Sequence, residues 1–283
     1  MECDSTEAEL SERPTIRLLA LDLDGTIVGG PDGITDRVQS AVRKAQDRGV
    51  EVTIATGRMF QSARRFACQL GVTAPIICYQ GALIRDPGTA ATLHSRVLPI
   101  APALEVLAFA KARGLHINAY VDDELYMESI TPEGRFYANT SDVPIQVTPE
   151  LAEIVRRGTT KLVIVTDEDR VPSVIDALQA KFGSVLAVTR SHPRFAETIG
   201  QDVSKGEALR LVAKMLHVPI RDTMAIGDNL NDLDLVTAAG FGVAMGNGDP
   251  RVCAAADWVT TSFAEDGAAV AIERFVLGQQ GPV

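Results

Sequence analysis

Leu19-Ala20-Leu21-Asp22-Leu23-Asp24-Gly25-Thr26 is an apolar run that ends in two carboxylates spaced i, i+2 and then empties into a glycine. Residues two apart on a strand point to the same side, so the spacing predicts both carboxylates on one side of a strand end. In an open parallel sheet, ligands bind beyond the carboxyl ends of the strands. Two adjacent carboxylates repel unless something cationic lies between them. Taken alone, the segment reads equally as a solvated acidic turn or as the rim of a site.

Outward from this stretch, strand-length apolar runs at 16–21 and 50–54 alternate with helix-length amphipathic segments at 35–48 and 58–70. In the first helix Val38, Ala41, Val42 and Ala45 follow the i, i+3, i+4, i+7 spacing; Phe60, Ala63, Ala67 and Leu70 do much the same in the second. Such alternation predicts βαβ units and a parallel sheet. After apolar runs at 76–79 and 82–84, Asp86-Pro87-Gly88-Thr89 is a turn signal at which the pattern changes. The same rhythm returns with a helix at 204–216, a strand at 223–226, a helix at 230–238, a strand at 240–244 and a closing helix at 264–277. The expected organisation is a tail at 1–13, a discontinuous doubly wound, Rossmann-like α/β core at 14–84 and 190–283, and a smaller inserted α/β domain at 85–189, the segment that the resemblance given below makes a cap domain.

Composition narrows the partners. The 283 residues are 46% hydrophobic and 23% charged, enough for a sizeable core without staples. Lys plus Arg is 27 against 37 for Asp plus Glu, a formal net charge of -10, which repels duplex nucleic acid on average. A small phosphorylated metabolite is not excluded, because one lysine and a metal ion reverse the sign locally. Cys3, Cys68, Cys78 and Cys253 show no metal-like spacing and read as reduced thiols. Neither a signal peptide nor a membrane span is evident, so no membrane partner and a cytoplasmic location are expected, as a monomer or small homo-oligomer.

Three further segments carry candidate chemistry. In Ala55-Thr56-Gly57-Arg58 a strand end meets a helix start, where Thr56 either caps the helix or, with the N–H groups near Gly57, receives an anion. In Ser204-Lys205-Gly206-Glu207 the Ser and Glu have capping-box spacing, which puts Lys205 in a first helical turn, the end where a cation is disfavoured. In Gly227-Asp228-Asn229-Leu230-Asn231-Asp232 another strand ends in carboxylates and amides. A cap at Asn229 and a dipole-complementing Asp232 explain part of that pattern but leave Asp228 without a role.

Together, in this order, the four segments resemble the haloacid dehalogenase-like phosphohydrolases, and more narrowly the Cof-type members with a large α/β cap, over about residues 15–275. Weaker support comes from Tyr79-Gln80-Gly81-Ala82, Tyr120-Val121-Asp122-Asp123 and Glu265-Asp266-Gly267. The resemblance implies Asp22 as nucleophile through an aspartyl-phosphate, and Asp24 as the acid and then the base. It also implies Mg²⁺ on Asp22, the Asp24 carbonyl and Asp228. Thr56, Gly57, Arg58, Lys205 and Asn231 would lie about the phosphoryl group, with Asp232 in support. The implied activity is a Mg²⁺-dependent phosphatase for small phosphate monoesters such as sugar phosphates. A phosphomutase or phosphotransferase using the same intermediate, or a phosphate-sensing module, is the alternative. The chain departs from the family's pattern at Gln80, where Asn is usual, and near Gly200 and Asp202. Tyr120, Tyr126, Glu128 and the scattered His94, His116, His192 and His217 read as structural.

Overall fold

The computed structural model describes residues 14–29, 33–141 and 143–279. The expected tail at 1–13, with Cys3, lies outside them. By contact the chain forms two compact units: Met1–Thr56, Ala63–Leu93 and Ser204–Val283 make the first, Gly57–Ser62 and His94–Val203 the second.

The first unit is built on a five-stranded parallel sheet in the order Trp258–Val259, Phe241–Ala244, Thr223–Gly227, Leu18–Leu21, Glu51–Ile54. Leu18–Leu21 is therefore central and buried on both faces, as a parallel strand covered by helices must be. Its alternation sorts the packing. Leu18 and Ala20 pack with Ala208, Leu209 and Val212 of the helix Lys205–Met215, while Leu19 and Leu21, also fully buried, face the other way. The helix Asp36–Asp47 starts where Thr35 Oγ1 accepts the Val38 N–H, and it buries Val38, Ala41, Val42 and Ala45, the stripe its spacing predicts. Beside Glu51–Ile54, a bridge between Ala55 and Ile77 attaches the hairpin Ile76–Cys78 and Leu83–Arg85.

Register decides where the site is. Leu21 is paired with Ile226 on one side and Ile54 on the other, so three neighbouring strands reach the same level together. Beyond it Asp22, Asp228 and Thr56 leave the sheet at one end.

The second unit has a six-stranded sheet, Leu186–His192, Phe195–Gly200, Lys161–Val165, His116–Val121, Glu124–Met127, Ile145–Val147, antiparallel except for the last pair. The expected domain boundary at 189 runs through the first of these strands. The helices Ile100–Ala112, Leu151–Arg156 and Val171–Phe182 cover one face with a core that includes Val106, Phe109, Ala119, Leu162, Ile164, Leu178 and Phe182. Lys161, Glu197 and Asn118 are buried as well; strand pairing puts them on the other face, in register with Val163 and Tyr120.

One local expectation changes. The closing helix is not continuous: Phe263–Glu265 is a 3-10 turn, Gly267–Ala271 an α-helix and Ile272–Val276 a wider π turn. Between the first two, Asp266 takes a left-handed φ of 57°, which interrupts the helical ladder. Among the described residues, no helix is long and apolar enough to cross a membrane.

Candidate functional site

Asp22 is the first residue past the central strand, and alternation turns it toward the face of Leu18 and Ala20, the face covered by the helix that opens with Lys205. The meeting follows from that geometry: Lys205 Nζ lies 2.6 Å from Asp22 Oδ1 and 2.6 Å from Asp232 Oδ1. Lys205 is 1% exposed and Asp22 4%, so the ion pairs are fully withdrawn from water. Ser204 Oγ accepts the Glu207 N–H and starts the helix as expected. The capping box is half made, because the Glu207 carboxylate pairs with Arg210 instead. The disfavoured position of Lys205 in a first turn is offset by two carboxylates rather than by solvent.

Asp232 spends both oxygens. While Oδ1 holds the lysine, Oδ2 accepts the N–H groups of Asp228 at 3.2 Å and Asn229 at 3.1 Å. Asn229 Oδ1 in turn accepts the Leu230 N–H. Asp232 is thus both cap and lysine anchor. Asp228 is differently placed: Thr26 Oγ1 donates to its Oδ1 at 2.9 Å, and Gly25 passes close against it. At Gly25 φ is +87°, and a Cβ there would lie 2.4 Å from Asp228 Oδ2, so only glycine lets the loop after Asp24 approach the second carboxylate.

The electrostatic balance is negative. Burial, followed by the Asp232 charge, holds the Asp22 carboxyl well above the usual range despite Lys205. The same two causes push Asp228 up to about 7. For Lys205, burial alone would lower its affinity for the proton, but the Asp22 and Asp232 carboxylates outweigh it and hold the ammonium charged. Oxygens of Asp22, Asp228 and Asp232 lie within 4.8 Å of one another. An oxygen-only donor set with more anionic than cationic charge suits a hard divalent cation. Since both oxygens of Asp232 are engaged, Asp22 and Asp228 are the better placed of the three to hold it.

Asp24, unlike Asp22, is exposed; the strand has ended at Leu21 and residue 24 instead forms a short bridge with Val28. Thr56 is fully buried, its N–H donating to the Ile77 carbonyl at 2.9 Å and its own carbonyl accepting from Gln80. Asn231 Nδ2 donates to Gln80 Oε1 at 3.1 Å. The first unit therefore assembles Asp22, Asp24, Thr56, Lys205, Asp228, Asn231 and Asp232 on neighbouring strand ends and turns.

Gly57 and Arg58 group with the second unit. There the Gly57 carbonyl accepts from Lys161 Nζ at 3.3 Å, and Arg58 reaches Ser62 Oγ at 3.4 Å. The helix after them begins only at Phe60, and its first N–H groups, those of Phe60 and Gln61, are accepted by the Asp123 carboxylate at 2.9 and 3.2 Å. Asp123 supplies the cap that the sequence offered to Thr56 as one of two roles.

A family model for the haloacid dehalogenase-like hydrolases matches residues 19–272, nearly the whole chain. The chain belongs to that family. Among curated proteins this hydrolase is similar to the 5-amino-6-(5-phospho-D-ribitylamino)uracil phosphatase YcsE of Bacillus subtilis, with 30% identity over 263 residues, 93% of this chain and 96% of the relative. Among solved structures it is similar to TM0651 from Thermotoga maritima, with a TM-score of 0.82, 31% identity and coverage of 92% of this chain and 97% of that one. It is also similar to a haloacid dehalogenase-like hydrolase from Bacteroides thetaiotaomicron, with a TM-score of 0.83, 29% identity and coverage of 92% and 99%.

Three supporting residues of this hydrolase escaped the sequence reading. Thr26 binds Asp228. Asp234 Oδ2 accepts the Gly206 N–H at 3.1 Å beside Lys205. Asn247 bridges the Gly25 carbonyl, at 3.0 Å, to the Phe263 N–H, at 2.7 Å. For Asn247 a signal existed: it follows the strand Phe241–Ala244, whose end pairs beside Gly227, so the strand-end rule that selected Asp22 and Asp228 also reaches it.

Proposed function

We propose that this hydrolase is a Mg²⁺-dependent phosphatase of small phosphate monoesters, sugar phosphates or similar metabolites, acting through an aspartyl-phosphate on Asp22. One observation carries the reading: a buried lysine held between Asp22 and Asp232, with Asp228 alongside, at strand ends brought level by register. Asp22, the backbone carbonyl of Asp24 and Asp228 would hold the metal. When bound, Mg²⁺ offsets the carboxylate charge and polarises the phosphoryl group.

The side chains then divide the work. An oxygen of Asp22 attacks phosphorus as the bond from phosphorus to the leaving oxygen breaks. Asp24, on the exposed side, gives its proton to that oxygen, and in the second half it takes a proton from the water that hydrolyses the acyl phosphate and regenerates Asp22. Lys205 and Thr56 stabilise charge on the phosphoryl oxygens during both transfers, and Asp232 fixes the lysine. Gly57, Arg58 and Asn231 contribute to phosphate binding.

Phosphate release tests the reading. Wild type and Asp22→Asn are compared, with Mg²⁺ and with chelator, over sugar phosphates, nucleotides, flavin mononucleotide and pyridoxal phosphate. Because Bacillus subtilis relatives are named for a phosphorylated ribitylaminouracil, a ribityl phosphate belongs in the panel. Metal-dependent release that vanishes in the variant is the expected result; release that persists in Asp22→Asn overturns the assignment.

A further inference from the structure

The turn Tyr79-Gln80-Gly81 has a backbone that its residue types do not favour. All three residues are left-handed, with φ of 51°, 61° and 106°, and a buried aromatic followed by a long amide is an unusual pair to find there. Tyr79 is fully buried and Gln80 is 4% exposed. Such a conformation persists only where its surroundings fix it.

The surroundings are three of the four site segments. The Gln80 N–H donates to the Thr56 carbonyl at 3.1 Å. Gly81 lies against the residue that opens the lysine helix: a Cβ on it would fall 2.2 Å from the Ser204 carbonyl oxygen. The Gln80 side chain reaches Asn231, accepting its Nδ2 at 3.1 Å through Oε1.

An asparagine amide presents a donor at one end and an acceptor at the other. Only the donor end is useful to a phosphoryl oxygen, which accepts hydrogen bonds and repels a carbonyl. With Gln80 Oε1 as its neighbour, Asn231 is held with its NH₂ group toward Gln80, and of the two hydrogens on that nitrogen one remains. We infer that Gln80 is a positioning residue that sets the sense of the Asn231 amide for phosphate, its left-handed turn joining that choice to the Thr56 and Ser204 segments. This rests on the phosphatase reading and adds to it a residue that never touches phosphorus.

A double-mutant cycle on the full-length chain with Mg²⁺ tests it, using inorganic phosphate as the probe in calorimetry and a phosphomonoester for turnover. Gln80→Gly deletes the amide but suits the left-handed backbone, so it keeps the fold and the melting temperature. It is expected to weaken phosphate binding about tenfold, the scale of one charge-assisted hydrogen bond, and to raise KM more than it lowers kcat. Asn231→Ala is expected to do about the same. Because the two residues act through one contact, the double variant should be within about twofold of Asn231→Ala alone.

Effects that multiply to about a hundredfold in the double variant, or phosphate binding in Gln80→Gly within twofold of wild type, overturn the inference. With wild-type turnover intact, either result leaves the phosphatase reading standing. A wild type that binds phosphate but releases none from any ester overturns the phosphatase reading while the cycle still decides the inference. A wild type that does neither overturns both.

Discussion

Among the described residues each unit buries one lysine, and the two are handled differently. Lys205 in the first unit meets two carboxylates, Asp22 and Asp232, with Asp228 beside them. Lys161 in the second is paired with Glu197 at 3.1 Å and lies 5.1 Å from the centre of the Tyr120 ring. In both, burial opposes the charge and the carboxylates win, so both ammonium groups stay protonated. The Lys161 and Glu197 pair balances. Around Lys205 the negative charge is in excess, and that excess is what a divalent cation and a transferring phosphoryl group can use. Charge imbalance, more than burial, separates a site from an internal ion pair.

The largest effect expected is on turnover. Asp22→Asn should lower kcat by about 10⁴-fold or more, as loss of a nucleophile does, with the circular dichroism spectrum retained. Lys205→Met should lower kcat/KM by roughly 10²- to 10³-fold, the scale of a lost electrostatic stabiliser. In the second unit, Lys161→Met should instead cost about 3 kcal/mol of stability, because Glu197 is left buried without its cation. Adding Glu197→Leu should recover much of that loss in a urea melt. A double variant no more stable than the single one would show that the unpaired Glu197 carboxylate is not what destabilises Lys161→Met.

A smaller effect is pH-dependent. In metal-free protein the Asp228 carboxyl titrates near 7 when folded against about 3.9 when unfolded. Between those values the folded state binds more protons than the unfolded one, so stability falls as pH rises through this window and stays low above it. Mg²⁺ needs the ionised carboxylate and removes the repulsion. Its addition should therefore raise the melting temperature more at pH 8 than at pH 5.5; an equal or reversed difference would separate Asp228 from the metal. Smallest of all, Arg37→Ala, which breaks the half-exposed 2.7 Å pair with Glu273, should change stability by less than about 1 kcal/mol.

The parts of the molecule most legible in the sequence are those where one periodicity governs. The stripe Val38, Ala41, Val42, Ala45 is buried as its spacing requires, because that helix packs one face on a sheet. Asp22, Asp228 and Thr56 could be nominated because strand ends in a parallel sheet are distinctive in sequence. The misplaced charge of Lys205 signalled a partner but could not say which, since Asp22 is 183 residues away along the chain. Asp123 could not be recognised as the cap of the helix at Phe60 because nothing local links positions 63 apart. Likewise the hairpin of Leu186–His192 and Phe195–Gly200 mixes apolar and polar residues on both faces, and its register shifts between Thr189 and His192. The left-handed Gln80 was visible only as an unusual residue, not as a conformation.

The central position of Leu18–Leu21 also has a bearing on how the protein is made. One edge of this strand pairs with Glu51–Ile54, which leaves the ribosome soon after it; the other waits for Thr223–Gly227, some two hundred residues later. Throughout that interval an apolar strand presents an unsatisfied edge, the kind of surface that invites pairing with another chain. Asp22 is translated early and gains its lysine late, so a nascent chain holds that carboxylate without its buried cation until nearly the last strands have been added.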